Sequence, residues 1–167
     1  MNSYAPDNYI CPFCQLKTGV DDLRVKSRQT DLVYQDDVVM ALICASQWPN
    51  NHGHVLVVPT EHYENIFDLP LPVAARIHEL SREIALAMKA VYDCEGISTR
   101  QHNEPAGNQE VWHYHLHVYP RYHGDNLYST EKGGIMDPAE RAEYASRLRN
   151  CLEERTASGE GMAQAAG

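Results

Sequence analysis

The stretch that decides the reading is Gln109-Glu110-Val111-Trp112-His113-Tyr114-His115-Leu116-His117-Val118-Tyr119-Pro120-Arg121. Its composition favours an extended strand over Val111–Tyr119. His113, His115 and His117 alternate with Trp112, Tyr114, Leu116 and Val118. Successive side chains of a strand point to opposite faces, so the three imidazoles share one face and the apolar residues the other. Three histidines at strict alternation give a face made only of groups that titrate near neutrality, bind metals or attack electrophiles. A surface strand with chance histidines is the bland alternative.

Two chemical readings compete for that face. A His-x-His pair can converge on one metal ion. All three cannot, because residues i and i+4 lie roughly 13 Å apart along a strand, whereas zinc sits about 2.0–2.1 Å from each nitrogen. The other reading is covalent: an imidazole held in one tautomer is a nucleophile toward phosphorus, and its neighbours stabilise developing phosphate charge.

Working outward, His54-Val55-Leu56-Val57-Val58-Pro59 reads as a short strand buried on both faces and ended by Pro59, preceded by the loop Trp48–Gly53. Leu32–Ile43 reads as a hairpin turning at Asp36-Asp37. Ile77, Leu80, Ile84, Met88 and Val91 step by 3, 4, 4 and 3, one stripe of a long helix with Gly96 as its stop. Ile97–Gln101 reads as a strand and Asn103–Asn108 as a loop. A last helix starts at Asp137, with Pro138 at its first position, Glu140 completing a capping box, and Ala145, Leu148 and Leu152 facing inward. The expected class is α+β: an antiparallel sheet with helices packed on one face.

The 167 residues fit one domain, taken as 1–155, with residues 1–20 forming an N-terminal Cys-x-x-Cys segment and 156–167 a flexible tail. With 14 Lys+Arg against 23 Asp+Glu, the net charge of −9 argues against nucleic acid as the partner. No apolar run approaches a membrane span, and the opening MNSYAPDNYI lacks the features of a secretory signal, which points to the cytoplasm. Five cysteines in such a chain suit metal binding or reduced thiols better than disulfides.

Two runs together resemble the histidine triad (HIT) superfamily: His113–Tyr119 matches its His-φ-His-φ-His-φ-φ motif, with φ apolar, and Gly53–His62 (GHVLVVPTEH) its Gly-His-φ-Leu-φ-φ-Pro-x-x-His strand. The likeness spans about residues 9–125, closest to Hint-like proteins and dinucleoside-polyphosphate hydrolases. It implies a five-stranded antiparallel sheet with a long helix and a C-terminal helix packed against it, usually in a homodimer. It implies hydrolysis or transfer at the α-phosphate of a purine nucleotide or nucleoside phosphate, either a phosphoramidate or a dinucleoside polyphosphate, through a nucleotidyl-histidine intermediate and with no catalytic metal. By motif position His115 is the nucleophile, its tautomer set by the carbonyl of His113; His117 and His54 orient it and meet the phosphate or leaving group. Gln109 matches a phosphate-binding glutamine, assisted by the backbone N–H groups near Glu110 and Val111.

Three positions depart from the pattern. Glu110 stands where a hydroxyl residue is usual, and a carboxylate beside phosphate repels it. Ser46 or Cys44 stands where an acid usually binds ribose. Asn103 is the pocket residue of an altered loop. These departures sustain an alternative: a nucleotide-binding sensor or scaffold with little turnover. A zinc hydrolase using the histidine strand as its metal site is a third reading.

The two thiols of Cys11-Pro12-Phe13-Cys14 can grip one zinc ion, but a closed site needs four ligands. The resemblance supplies the other half as His62 and His113, giving a structural zinc. A thioredoxin-like redox motif and two ordinary thiols are the alternatives; the first calls for a preceding strand and a following helix.

Overall fold

The structure is a computed structural model, describing residues 3–129 and 133–161. In chain order it contains α1 (Pro12–Lys17), β1 (Leu32–Gln35), β2 (Val39–Ile43), β3 (Val55–Pro59), α2 (Leu71–Val91), β4 (Gly96–Gln101), β5 (Leu116–Arg121) and α3 (Pro138–Ala157), with short 3-10 turns at Gln29–Asp31 and Pro105–Gly107. The five strands form one antiparallel sheet in the order β1-β2-β3-β5-β4, so the class is α+β as expected.

The β1–β2 hairpin turns at Asp36, whose Oδ1 accepts the N–H groups of Val38 and Val39, both at 2.8 Å. β2 and β3 are buried throughout because both sheet faces are covered. On one face Val39, Ala41, Ile43, Val55, Val57, Leu116 and Val118 meet Ile77, Leu80, Ile84 and Met88 of α2 and Ala145, Leu148 and Leu152 of α3. On the other, Met40, Leu42, Leu56 and Val58 meet Cys11, Phe13 and Leu16 of the N-terminal segment. Strand parity sends His54 and His117 to this second face. α2 and α3 therefore build the core from behind, and α1 lies on the face that carries the histidines.

Four expectations shift. The triad strand is shorter than Val111–Tyr119: β5 begins at Leu116 and runs to Arg121. Val57↔Leu116 is the last β3–β5 pair, and two residues on stands Pro59, which has no N–H to extend the ladder. Residues 109–114 are tied down differently, with Tyr114 N–H on the Tyr63 carbonyl and Trp112 N–H on the Tyr9 hydroxyl. Next, α2 ends at Val91 rather than near Gly96; Asp93 takes the left-handed turn at φ 55°, and Gly96 opens β4. At α3, Asp137 does cap through Ala139 N–H at 2.8 Å, but among the described residues Glu140 makes no reciprocal bond. Finally, α3 continues through Thr156 and Ala157, so the start expected for the tail lies inside a helix; residues 162–167 lie outside the described residues.

Candidate active site

His115 sits just before β5, its side chain almost buried at 6 % exposure. Its Nδ1 lies 2.7 Å from the His113 carbonyl. A carbonyl only accepts, so Nδ1 carries the proton and the ring's lone pair is on Nε2. Phe13 of α1 meets the ring edge-on at 5.7 Å, and His117 does so at 4.9 Å.

His117, on β5, is backed by a buried stack. Its Nδ1 lies 2.8 Å from His54 Nε2 and 3.3 Å from the Tyr119 hydroxyl. The His54 ring is fully buried, stacked on Tyr119 at 4.2 Å and flanked edge-on by Trp48 at 5.7 Å. Burial pushes the Tyr119 hydroxyl above its ordinary range, so it serves as a neutral hydrogen-bonding group. His54 thus supports His117 from behind.

His115 and His117 open onto a cleft of about 610 Å³. Ser46, Glu110 and Val111 line it, as the sequence suggests. Gln109, Asn103 and His54 do not. Gln109 is 5 % exposed and spends its amide on the backbone: Oε1 accepts from Glu104 N–H at 2.8 Å, while Nε2 donates to the carbonyls of Glu64 and Val111. Asn103 caps Ile66 N–H at 2.8 Å and pairs with Gln101, and Asn108 lines the cleft in its place. Both residues hold the loop.

Sequence reasoning missed Arg24, Lys26, Arg100 and His102, all of which line the cleft. Arg24 is paired with the carboxylate of Asp22, which leaves Lys26 and Arg100 as the fixed cations of the lining against one carboxylate, Glu110, in a protein of net charge −9. The cleft therefore favours anions against the sign of the whole molecule. The guanidinium of Arg100 lies over the rings of Tyr128 at 4.4 Å and Tyr119 at 5.4 Å. The signal that could have found Arg100 is strand parity once the register with His117 is known. A separate cavity of about 530 Å³, between β1 and α3, has neither histidine nor cysteine in its lining.

Behind the nucleophile candidate, Cys11, Cys14, His62 and His113 bring one ligand atom each within 4.8 Å of one another. Cys11 Sγ is 3.2 Å and Cys14 Sγ 3.7 Å from His113 Nδ1, and Cys14 Sγ is 3.3 Å from His62 Nδ1. A tetrahedron with Zn–S of about 2.3 Å and Zn–N of about 2.0–2.1 Å sets its corners roughly 3.3–3.8 Å apart. The residues present therefore fit a zinc ion. His113 Nε2 lies 3.0 Å from the Pro59 carbonyl, which accepts its N–H and so turns the Nδ1 lone pair toward the thiols, the usual support of a metal-bound histidine. The Cys14 thiol is held well below its ordinary range, first by the bond from Cys11 and then by the His113 ring, while the same bond and burial push Cys11 up. Cys11 caps a short helix, but among the described residues no strand leads into it, as a thioredoxin-like site requires.

Residues 25–124 match the model of the HIT domain. The chain belongs to the HIT family. "Protein hit" of Bacillus subtilis is 32 % identical over 112 residues, 67 % of this chain and 71 % of that one. A "ZN-bound histidine triad family protein" from Mycobacterium smegmatis superposes with a TM-score of 0.72 at 26 % identity, covering 89 % of this chain and 96 % of that one. An Arabidopsis thaliana relative named adenylylsulfatase HINT3 is 27 % identical over 121 residues, 72 % of this chain and 57 % of that protein. Among the described residues no helix is long and apolar enough to cross a membrane.

Proposed function

We propose that this HIT protein hydrolyses or transfers at the α-phosphate of a purine nucleoside phosphoramidate or dinucleoside polyphosphate, with His115 as nucleophile. The observation that carries the reading is the 2.7 Å bond from His115 Nδ1 to the His113 carbonyl, which puts the lone pair on Nε2 of a ring lining an anion-attracting cleft. His115 Nε2 forms a bond to phosphorus as the leaving group departs; water then breaks that bond and restores the ring. His117, steadied by His54 and Tyr119, and the cations Lys26 and Arg100 stabilise the charge of the transferring phosphoryl group. The adenylylsulfatase relative supports chemistry at a nucleoside phosphate.

Zinc at Cys11, Cys14, His62 and His113 acts in this reading as a structural ion. The zinc-bound relative supports it, and a histidine that spends its ring on the metal leaves His115 for phosphorus. The site belongs to a domain of about residues 1–155, in a cytoplasmic homodimer. Dimerisation through an edge strand such as β4 is checked by sedimentation.

The test is mass spectrometry of protein quenched during turnover of adenosine 5′-phosphoramidate or diadenosine polyphosphate. A nucleotidyl adduct on His115, absent in His115→Ala, is expected. Absence of the adduct together with undiminished activity in the variant defeats the proposal. Glu110 at the cleft favours a second reading, a nucleotide-binding sensor, which predicts tight binding by calorimetry and no product over hours.

A further inference from the structure

His102 makes a fourth imidazole in the cleft region. The register pairs Arg100 with His117 and Gln101 with Leu116, so one more step sets His102 level with His115. Alternation puts residues 100 and 102 of one chain segment, and 115 and 117 of the other, on the same face. The His102 ring lines the cleft, 5.7 Å from the His117 ring and nearly perpendicular to it at 79°. Its Nδ1 lies 2.7 Å from the Gly107 carbonyl, an acceptor only, so Nδ1 carries a proton. The two ring nitrogens point along diverging edges. Anchoring Nδ1 on the loop turns Nε2 away from it and makes Nε2 the atom that gains or loses a proton without the ring turning.

That loop is firmly held. Gly107 belongs to the 3-10 turn Pro105–Gly107, and Glu104 before it takes φ 60° while exchanging bonds with Gln109, through backbone and side chain alike. The charged groups lining the same cleft are Arg24, Lys26, Arg100 and Glu110. Arginine and lysine at neutral pH are poor proton donors, and ionised Glu110 has none to give. The His117 ring is already committed on its Nδ1 side to His54 and Tyr119.

We propose that His102 is a further catalytic residue, the proton donor to the leaving group. The proposal rests on His115 being the nucleophile. In the first step His115 Nε2 bonds to the α-phosphorus, the bond from phosphorus to the leaving atom breaks with its electron pair on that atom, and the Nε2 proton of cationic His102 passes to it. In the second step water attacks phosphorus, its proton passes to His102 Nε2, and the phosphorus–nitrogen bond breaks with its pair returning to His115. His102 ends cationic, as it began, and its Nδ1–H donates to the Gly107 carbonyl throughout.

The test compares leaving groups. His102→Asn keeps an amide N–H in the Nδ1 position for the Gly107 carbonyl, and His102→Gln keeps a non-titrating amide near Nε2. Single-turnover formation of the His115 adduct is followed with adenosine 5′-phosphoramidate, whose amine must be protonated to leave, and with adenosine 5′-(p-nitrophenyl phosphate), whose phenolate leaves unprotonated. Both variants should lose about 10²–10⁴-fold with the amine leaving group, the usual worth of positioned acid–base catalysis, and little with p-nitrophenolate. Equal losses on both substrates make His102 a structural residue and overturn the proposal; so does no loss on either. Failure of wild-type protein to form an adduct with either substrate removes the nucleophile reading and the proposal with it, an outcome distinct from adduct formation with equal sensitivities.

Discussion

If zinc joins Cys11, Cys14, His62 and His113, removing it should unfasten one particular part of the molecule. The four ligands come from three separated places in the chain: the start of α1, the loop after β3 and the segment before β5. α1 has only six residues, far too few to persist without tertiary contacts. What holds it is the cluster of ligands and the burial of Phe13 and Leu16, each 2 % exposed, against Met40, Leu42, Leu56 and Val58. Exposing those two side chains costs roughly 3–6 kcal/mol at 1.5–3 kcal/mol each. Zinc at about 1,000 times its dissociation constant adds about 4 kcal/mol by mass action. For a domain of this size each kcal/mol moves Tm by about 2–4 °C, so chelation should lower Tm by roughly 8–16 °C, with recovery on zinc add-back. Amide exchange should quicken first over residues 9–18. Cys11→Ser should behave like chelation, and His62→Ala, whose ring is exposed at the rim, should lower zinc affinity with a smaller loss of Tm. The assay is calorimetry on protein of known zinc content. A zinc-loaded protein whose Tm and α1 exchange are indifferent to complete metal removal would refute the reasoning.

Three further outcomes are expected. Asp125, 5 % exposed, accepts from Arg121 Nε at 2.7 Å, Arg121 Nη2 and Asn51 Nδ2 at 2.8 Å, and the N–H groups of Tyr122 and Leu127. Arg121 above all holds its carboxyl well below the usual range, so its contribution is complete above the unfolded value of about 3.9 and is lost as pH falls through the folded value; Asp125→Asn should cost about 2–4 kcal/mol at pH 7 and progressively less in acid, read from urea midpoints against pH, and a pH-independent gap would contradict it. Gly53 has φ +84°, and a Cβ there would stand 2.7 Å from Tyr144 Cδ1 and Tyr92 Cε2, so Gly53→Ala should cost about 2–3 kcal/mol; an unchanged urea midpoint would show that the rings give way. Arg141, fully buried, bonds Asp31 Oδ1 at 2.8 Å and the carbonyls of Met136 and Lys26, so Arg141→Leu should cost about 3–5 kcal/mol, whereas adding Asp31→Leu should recover part of it by removing the stranded charge; a double variant less stable than the single would count against this.

The sheet and the long helices were legible because their patterns are local. β2 and β3 are short apolar runs, and the α2 stripe repeats at helical spacing, with Ile77, Leu80, Ile84 and Met88 buried as the spacing requires. The helix end was misread because Gly96 is the more familiar stop, while Asp93 makes the left-handed turn instead. Within the site, residue types that announce chemistry were found, and residues qualified only by position were not. Arg100 and His102 are ordinary in sequence; they reach the cleft because β4 pairs with β5 in one register, which a single strand does not encode. Gln109 and Asn103 have the right chemistry for a ligand, but Gln109 spends its amide on backbone groups and Asn103 divides its own between the Ile66 N–H and the Gln101 side chain, a competition that only the folded loop decides.

The shortened β5 also changes how the histidines divide their work. A regular strand through residue 113 would leave that residue's carbonyl to the ladder. Here β5 begins only at Leu116, the chain turns at Val111–His113, and the His113 carbonyl accepts a hydrogen bond from the His115 ring. Pro59 gives its carbonyl to His113 Nε2, which turns the other nitrogen toward the two thiols. One residue thus presents its ring to a metal-ligand cluster and its backbone to a candidate nucleophile. The position of the His113 backbone is therefore a variable common to both, and anything that fixes it, metal included, also steadies the hydrogen bond that keeps the lone pair of His115 on Nε2.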